Sequence, residues 1–343
     1  MTNVYFATNR KKDGTGQFGY GSASIANDKL ADYAVADVRG VSLAGPNAAN
    51  SGTIHGISHL NAGDFSQAVK DEITGAGHNL LVFIHGADNS FEDAIKRAAF
   101  NREWFADSGS AASNTTIVTF TWPSSNKYFT PGHDPKHEYL ADQVQAGKSH
   151  HHLAQFLKVI EQLRAALLAA HPAARVFLMA HSMGNFALQG AVQGWFDDHG
   201  PGDRIFDQVF LAAPDEVRDS FEMPHGGHLA NLPKLCERIS VYYSRADLLM
   251  LLSEAVNHNV RLGFNGPEHK FDAAKYPPAK FRLVDCSDVL DYIRLGEASH
   301  QYYRKSLTVR ADIVACMVNH PVPGGGNIVL STPAAGPDLG AIA

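Results

Sequence analysis

A serine acts as a nucleophile only where its hydroxyl stands clear of the backbone and a base can reach it. The run Arg175-Val-Phe-Leu-Met-Ala-His-Ser-Met-Gly-Asn185 meets the first condition. It ends an apolar strand and opens a helix that continues through Leu188, Val192 and Trp195, with Ser182 at the turn. Backbones approach closely at such a turn, so small residues are needed two places before and two after the serine. Ala180 and Gly184 occupy those places. Glycine is usual at the first, and alanine keeps the steric logic. Ser182 would equally serve as a helix N-cap. His181 is expected to pack or hydrogen-bond locally, because a neighbour on the same tight turn points away from the nucleophile.

Acyl transfer also needs donors aimed where negative charge develops. The strand Leu80 to Ile84 runs into His85-Gly86-Ala87, and Ser90 with Asp93 reads as a helix start of the S-x-x-D type. The backbone N–H groups of Ala87 and Met183 are the candidate oxyanion donors. In a parallel-sheet hydrolase the chain order is nucleophile, acid, histidine. Of the 18 histidines, that order leaves His258, His269, His300 and His320. His300, in a loop after the last expected central strand, is the preferred base. Two carboxylates compete for the third role. Asp247 follows a strand and a short Ser-x-x-Asp loop and is preferred, whereas Asp215, ending Phe210-Leu-Ala-Ala-Pro, is the alternative acid. In the preferred reading Asp215 orders its loop, capping a helix over Glu216 to Phe221.

These residues need a scaffold. From about residue 80, short apolar runs alternate with helical patterns, as in repeated βαβ units. The runs are Leu80 to Ile84, Ile117 to Trp122, Val176 to Ala180, Ile205 to Ala213, Ile239 to Tyr243 and Phe281 to Asp285. Leu153, Phe156, Leu157, Ile160, Leu163 and Leu167 keep helical spacing ahead of Pro172. The expected fold is α/β, a mostly parallel central sheet with helices on both faces. Residues 1–75, with strand-like pieces at Val4 to Thr8 and Gly21 to Ile25, are expected to add antiparallel edge strands to the same domain. Residues 76–319 form the core, and residues 320–343 are a Gly/Pro-rich wrapping or disordered tail in which Ile328 to Ser331 is strand-like.

The strings Phe6-Ala-Thr-Asn-Arg10, Phe83-Ile-His-Gly86, Thr121-Trp-Pro-Ser124, Tyr139-Leu-Ala-Asp142, Ala180-His-Ser-Met-Gly-Asn185, Ala212-Ala-Pro-Asp215 and His300-Gln-Tyr-Tyr303 stand in one order. Together, over about residues 4 to 318, they resemble the bacterial α/β-hydrolase family catalogued as domain of unknown function 900. The resemblance implies an α/β-hydrolase fold with Ser182 as nucleophile, His300 as base and Asp247 as acid. It says little about substrate.

The remaining features narrow the chemistry. The formal charge of -6, from 35 acidic and 29 basic residues without a long basic run, argues against nucleic acid as a partner. No apolar stretch approaches the roughly 20 residues that cross a bilayer. The N-terminus lacks a signal-like pattern, so a cytoplasmic location without integral membrane association is expected. Cys236, Cys286 and Cys316 lack metal or disulfide spacing. Consecutive His150, His151 and His152 on a helix would diverge by about 100° each and are expected to be a solvated face. Asp134 and His137 are read as loop residues because Pro135 lies between them. No metal and no cofactor is expected. The loop from Ser124 to His137, with Tyr128 and Phe129, and His85 are candidate pocket walls, as is the excursion Leu262 to Lys280 with Phe264, Phe271 and Tyr276. The resulting expectation is a carboxylic ester hydrolase for a small-molecule ester with a short to medium acyl chain. The rivals are a membrane-active lipase or phospholipase and a non-catalytic scaffold on the same fold. Oligomeric state is not readable from the sequence.

Overall fold

Strand β6 (Asn79–Ile84) sends Leu80, Val82 and Ile84 to one side of a sheet and Leu81 and Phe83 to the other. Its uninterrupted apolar run is what burial on both faces requires. Burial along most of the length also marks β7 (Thr115–Thr121), β8 (Val176–His181), β9 (Phe206–Ala212), β10 (Cys236–Tyr243) and β11 (Phe281–Asp288). All six expected strands are present. The computed structural model describes residues 1–45, 47–110, 113–128, 130–200, 203–319 and 324–333.

The N-terminal region supplies β1 (Thr2–Thr8), β2 (Arg10–Thr15), β3 (Gly19–Ser24), β4 (Asp32–Arg39) and β5 (Thr53–Leu60). A last strand, β12, covers Gly326–Ser331. The main sheet has ten strands in the order β12-β11-β10-β9-β8-β6-β7-β1-β4-β5. It is parallel from β12 to β1, and β4 and β5 are antiparallel additions. The expected antiparallel edge is therefore made by β4 and β5. The piece at Val4 to Thr8 lies inside the sheet instead, parallel to β7, because β1 is almost wholly buried. The piece at Gly21 to Ile25 belongs to a separate two-stranded β2-β3 ribbon. In the tail, β12 pairs with β11, while residues 320–323 and 334–343 lie outside the described residues.

Helices cover both faces. One core layer includes residues of α1 (Ala62–Ala76), α3 (Pro135–Lys148), α4 (His150–Ala170) and α5 (Gly184–His199). The other includes α2 (Phe91–Ala106), α8 (Tyr302–Lys305) and α9 (Leu307–Val318). Two further helices, α6 (Leu248–Asn257) and α7 (Leu262–Asn265), follow β10.

Three local expectations are corrected. Pro135 does not exclude a helix; it takes the first position of α3 with Asp134 as N-cap, where its missing N–H costs nothing. Residues Glu216 to Phe221 form no helix, since Val217 bridges Arg261 and the Arg218 N–H reaches Val260 O at 3.1 Å. The histidine run is not a solvated face. His152 is fully buried with Nε2 3.1 Å from Lys29 O, and His150 Nε2 is 3.2 Å from Phe186 O.

Candidate active site

Strand order reverses beside β6, which lies between β7 and β8. Such a switch point leaves a crevice beyond the strand ends. The residues after β6 and after β8 are therefore neighbours by topology. Their approach is close enough that a Cβ on Gly86 would lie 2.8 Å from Ser182 Cβ, and one on Gly184 would lie 2.5 Å from His85 O. Glycine is required at both.

Ser182 has φ 54°, an uncommon backbone region for a non-glycine residue. The surroundings hold it there. Its N–H donates to Ala212 O at 3.0 Å, and its carbonyl accepts from Asn185 N at 3.0 Å, Asn185 Nδ2 at 3.0 Å and Asp215 N at 3.2 Å. The residue is 8 % exposed and lines a cavity of about 40 Å³ together with Ala87, Asp88, Tyr128, Leu249 and His300.

His300 ends a 3₁₀ turn over Gly296–His300. Its Nδ1 lies 2.6 Å from Asp247 Oδ2. Its Nε2 is buried without a hydrogen-bond partner among the described residues. Asp247 is the N-cap of α6, and its Oδ1 accepts from Leu249 N and Met250 N, each at 3.1 Å. The carboxylate is thus fixed by a helix N-terminus, where negative charge is favoured, while its other oxygen orients the imidazole. No hydrogen bond joins Ser182 to His300 among the described residues. A looser contact is common before substrate binds.

Asp215 has other partners. Its Oδ1 lies 3.1 Å from Arg261 Nε and accepts from Ser253 Oγ at 2.5 Å, and its Oδ2 accepts from Tyr139 OH at 2.8 Å. The alternative acid is therefore half of a buried ion pair rather than a histidine partner. Its backbone N–H serves the serine turn directly.

His181 packs between His300 and Tyr303, with ring centroids 4.7 and 4.6 Å away. Its Nε2 faces His300 O at 3.3 Å. Burial, with help from nearby His300 and Arg304, holds it well below the usual histidine range. It stays neutral, and its Nε2 donates.

On the other wall, Ala87 lines the cavity and Met183 opens α5. His85 does not reach the cavity. It stacks on Trp122 with interplanar angle 7°, accepts from Trp122 N at 3.1 Å and donates from Nδ1 to Gly86 O at 2.7 Å. Its role as a pocket wall is thereby corrected: both ring nitrogens shape the loop that carries Ala87. Tyr128 does line the cavity, whereas Phe129 lies outside the described residues. The excursion Leu262 to Lys280 is absent from the lining; Phe271 is exposed and Tyr276 packs on Phe281.

Sequence reasoning left unassigned the residues that hold this wall. Asp142 accepts from Asp88 N at 2.9 Å, Ser124 Oγ at 2.7 Å and Ser125 N at 2.8 Å, tying the loop after β6 to that after β7. Buried Arg10 donates to Asn89 O at 2.9 Å, Ser124 O at 3.3 Å and Thr121 Oγ1 at 2.8 Å. Asn89 Nδ2 donates in turn to Gly86 O and Ala87 O. Arg10 and Asp142 each close one of the family-like strings, which was the available signal. Among the described residues no group of three His, Cys, Asp or Glu is arranged to hold a metal ion. No described helix is long and apolar enough to cross a membrane.

A family model described as alpha/beta hydrolase of unknown function (DUF900) matches residues 62–315. The chain belongs to that family and has its α/β-hydrolase fold. The match begins after the first five strands, so Arg10 lies outside it. No curated protein matches the sequence. Among solved structures, lipase B from Aspergillus fumigatus is similar with a TM-score of 0.33 and 12 % identity, over 73 % of this chain and 54 % of the lipase. The chain thus spans about half the length of that relative. An arylesterase gives a TM-score of 0.32 and 12 % identity over 70 % of this chain and 74 % of its own. Phospholipase PlaB from Legionella pneumophila gives 0.27 and 10 %, over 60 % and 37 %.

Proposed function

We propose that this chain is a serine hydrolase of carboxylic esters. The observation that carries the reading is the juxtaposition of Ser182 and His300 on one cavity, with His300 Nδ1 on Asp247 and Nε2 unpartnered. Ser182 Oγ attacks the ester carbonyl carbon and its proton passes to His300 Nε2. Asp247 stabilises the imidazolium, and the N–H groups of Ala87 and Met183 stabilise the oxyanion. The carbonyl re-forms as the C–O bond to the alcohol breaks, and His300 returns the proton to the leaving alkoxide. Water then cleaves the acyl-enzyme by the same cycle. The reaction draws on no cofactor, and the small cavity suits a short to medium acyl chain.

A second reading has one specific observation behind it. Leu248 and Leu251 of α6 are each 42 % exposed, on the helix whose Leu249 lines the cavity. Exposed apolar side chains on that helix would suit a lipase or phospholipase acting at a lipid surface. A p-nitrophenyl ester series from acetate to palmitate separates the two, since an esterase peaks at the short end and a lipase at the long end.

Ser182→Ala tests the nucleophile. It should abolish ester turnover and labelling by a fluorophosphonate while leaving the unfolding midpoint nearly unchanged, because only a hydroxyl is lost. Turnover near wild type in the purified variant would remove Ser182 from the mechanism, and a wild-type protein without labelling or turnover would favour a scaffold.

A further inference from the structure

Next to the Ser182 cavity lies a second one of about 210 Å³, and the two share Arg97, Glu297 and Gln301 in their walls. The second adds Arg304 and Lys305. We propose that this adjoining pocket binds an anionic group of the substrate, a carboxylate or a phosphate, through Arg97, Arg304 and Lys305. The word substrate rests on the ester hydrolase reading above; the anion site does not.

Three observations carry the proposal. First, none of the three cations has a carboxylate within 4.0 Å among the described residues, whereas buried Arg261 is paired with Asp215 and buried Arg282 with Asp312. Arg97 instead donates from Nε to Asn50 Oδ1 at 3.0 Å. Second, Arg304 Nε, a donor on a residue of this pocket's wall, is buried without a hydrogen-bond partner among the described residues. Gln301 and Arg304 are each 4 % exposed. Buried donors without partners are costly, and a bound oxyanion would satisfy the guanidinium. Third, the cations weigh on each other. Burial and Arg304 push Arg97 down to about 10, and burial with Arg304 lowers Lys305. An anion would relieve that repulsion. Glu297, exposed at the shared boundary, is the only acid in the pocket wall among the described residues.

The chemistry then selects for oxyanions. A guanidinium presents paired N–H donors that match carboxylate or phosphate oxygens, and Lys305 adds a point charge. A substrate bearing such a group would place its ester at Ser182 while the anion rests on Arg97 and Arg304. These two residues would set specificity without touching the reacting atoms.

The test compares ethyl half-esters of succinate, glutarate and adipate with ethyl esters of the same acyl length but no carboxylate, read as kcat/KM from ethanol release. Isothermal calorimetry of the Ser182→Ala protein with adipate and with inorganic phosphate gives a readout independent of catalysis. The expected result is at least tenfold preference for one of the half-esters, a tenfold or greater fall in that ratio in Arg97→Gln and Arg304→Gln, and anion binding weakened in parallel when either change is combined with Ser182→Ala. Binding of adipate alone identifies a carboxylate, and binding of phosphate alone identifies a phosphate. Lys305→Gln, at a partly exposed position, supplies the same ratio and binding readouts if the arginine variants do not fold. Anion binding that depends on these residues without turnover of any ester would uphold the pocket and remove the hydrolase reading. No half-ester preference together with no binding of either anion at 10 mM overturns the proposal, as does binding that none of the three substitutions weakens.

Discussion

The two carboxylates that competed for the third role beside Ser182 and His300 are distinguished by their partners. Asp247 meets His300, while Asp215 meets Arg261, Ser253 and Tyr139. An amide at 247 can still accept from the α6 N-terminus but favours the wrong imidazole tautomer, an effect of about ten-thousandfold in a known serine protease. Asp247→Asn should therefore lower kcat by orders of magnitude with little change in a urea unfolding curve. Asp215→Asn removes the countercharge of a buried guanidinium, and breaking one half of such a pair costs about 3–5 kcal/mol. Its signature should be a large drop in the urea midpoint. The sequence placed both residues after adjacent strands and preferred Asp247, but it left Asp215 open because their partners, Arg261 and His300, are remote in the chain.

Among the elements, the loop after β6 shows how local signals and long-range contacts divide the work. Ser90 and Asp93 were legible as a helix start, and they form a capping box on α2. The role of His85 was not, because its partner Trp122 comes from the end of β7. Burial, with Arg10 nearby, holds His85 well below the ordinary histidine range. It is neutral in the folded protein and takes up a proton near pH 6.5 once unfolded. Below that pH the unfolded state binds the extra proton, so His85 lowers stability as pH falls, by up to about 1.4 kcal/mol per pH unit until its folded pKa is reached. The stability difference between wild type and His85→Gln, measured by urea unfolding, should shift against wild type between pH 7 and 5 at roughly that slope. A pH-independent difference would show that His85 carries its proton in the fold.

At the scale of the whole molecule, the first strands are joined to the candidate site chiefly through one guanidinium. Arg10, the first residue of β2, reaches across to Asn89, Ser124 and Thr121. Burial pushes its guanidinium down to about 9 against the pull of Asp142. Lysine keeps the charge but cannot replace three directed donors. Arg10→Lys should lower kcat more than it raises KM, since the loop bearing Ala87 would lose its anchor, and should also lower the melting temperature; unchanged kcat would show that the loop holds itself. Charge stabilisation by backbone N–H groups needs no ion, so turnover should survive dialysis against EDTA. Loss of turnover that a divalent cation restores would contradict the proposed chemistry.

What the sequence determined by itself was local: the apolar runs of the central strands, the helical stripe ahead of Pro172, the small residues flanking Ser182 and the order of the family-like strings. These depend on near neighbours, and near neighbours set backbone geometry and which face is apolar. It missed β4, β5, α1 and α3, whose polar or Gly/Ala-rich residues are one-sided and take their order from packing against the sheet. It also put β1 at an antiparallel edge, whereas its buried run lies inside the sheet, parallel to β7. The tertiary structure alone decided that His300 faces Asp247, that Asp215 belongs to Arg261, that His85 turns inward to Trp122, and that Arg97 and Arg304 share a pocket. Each of these pairings joins residues from separate strand-end loops or helices. Only the order and register of the parallel sheet bring such residues within hydrogen-bond distance, and neither is encoded in any short window of the chain.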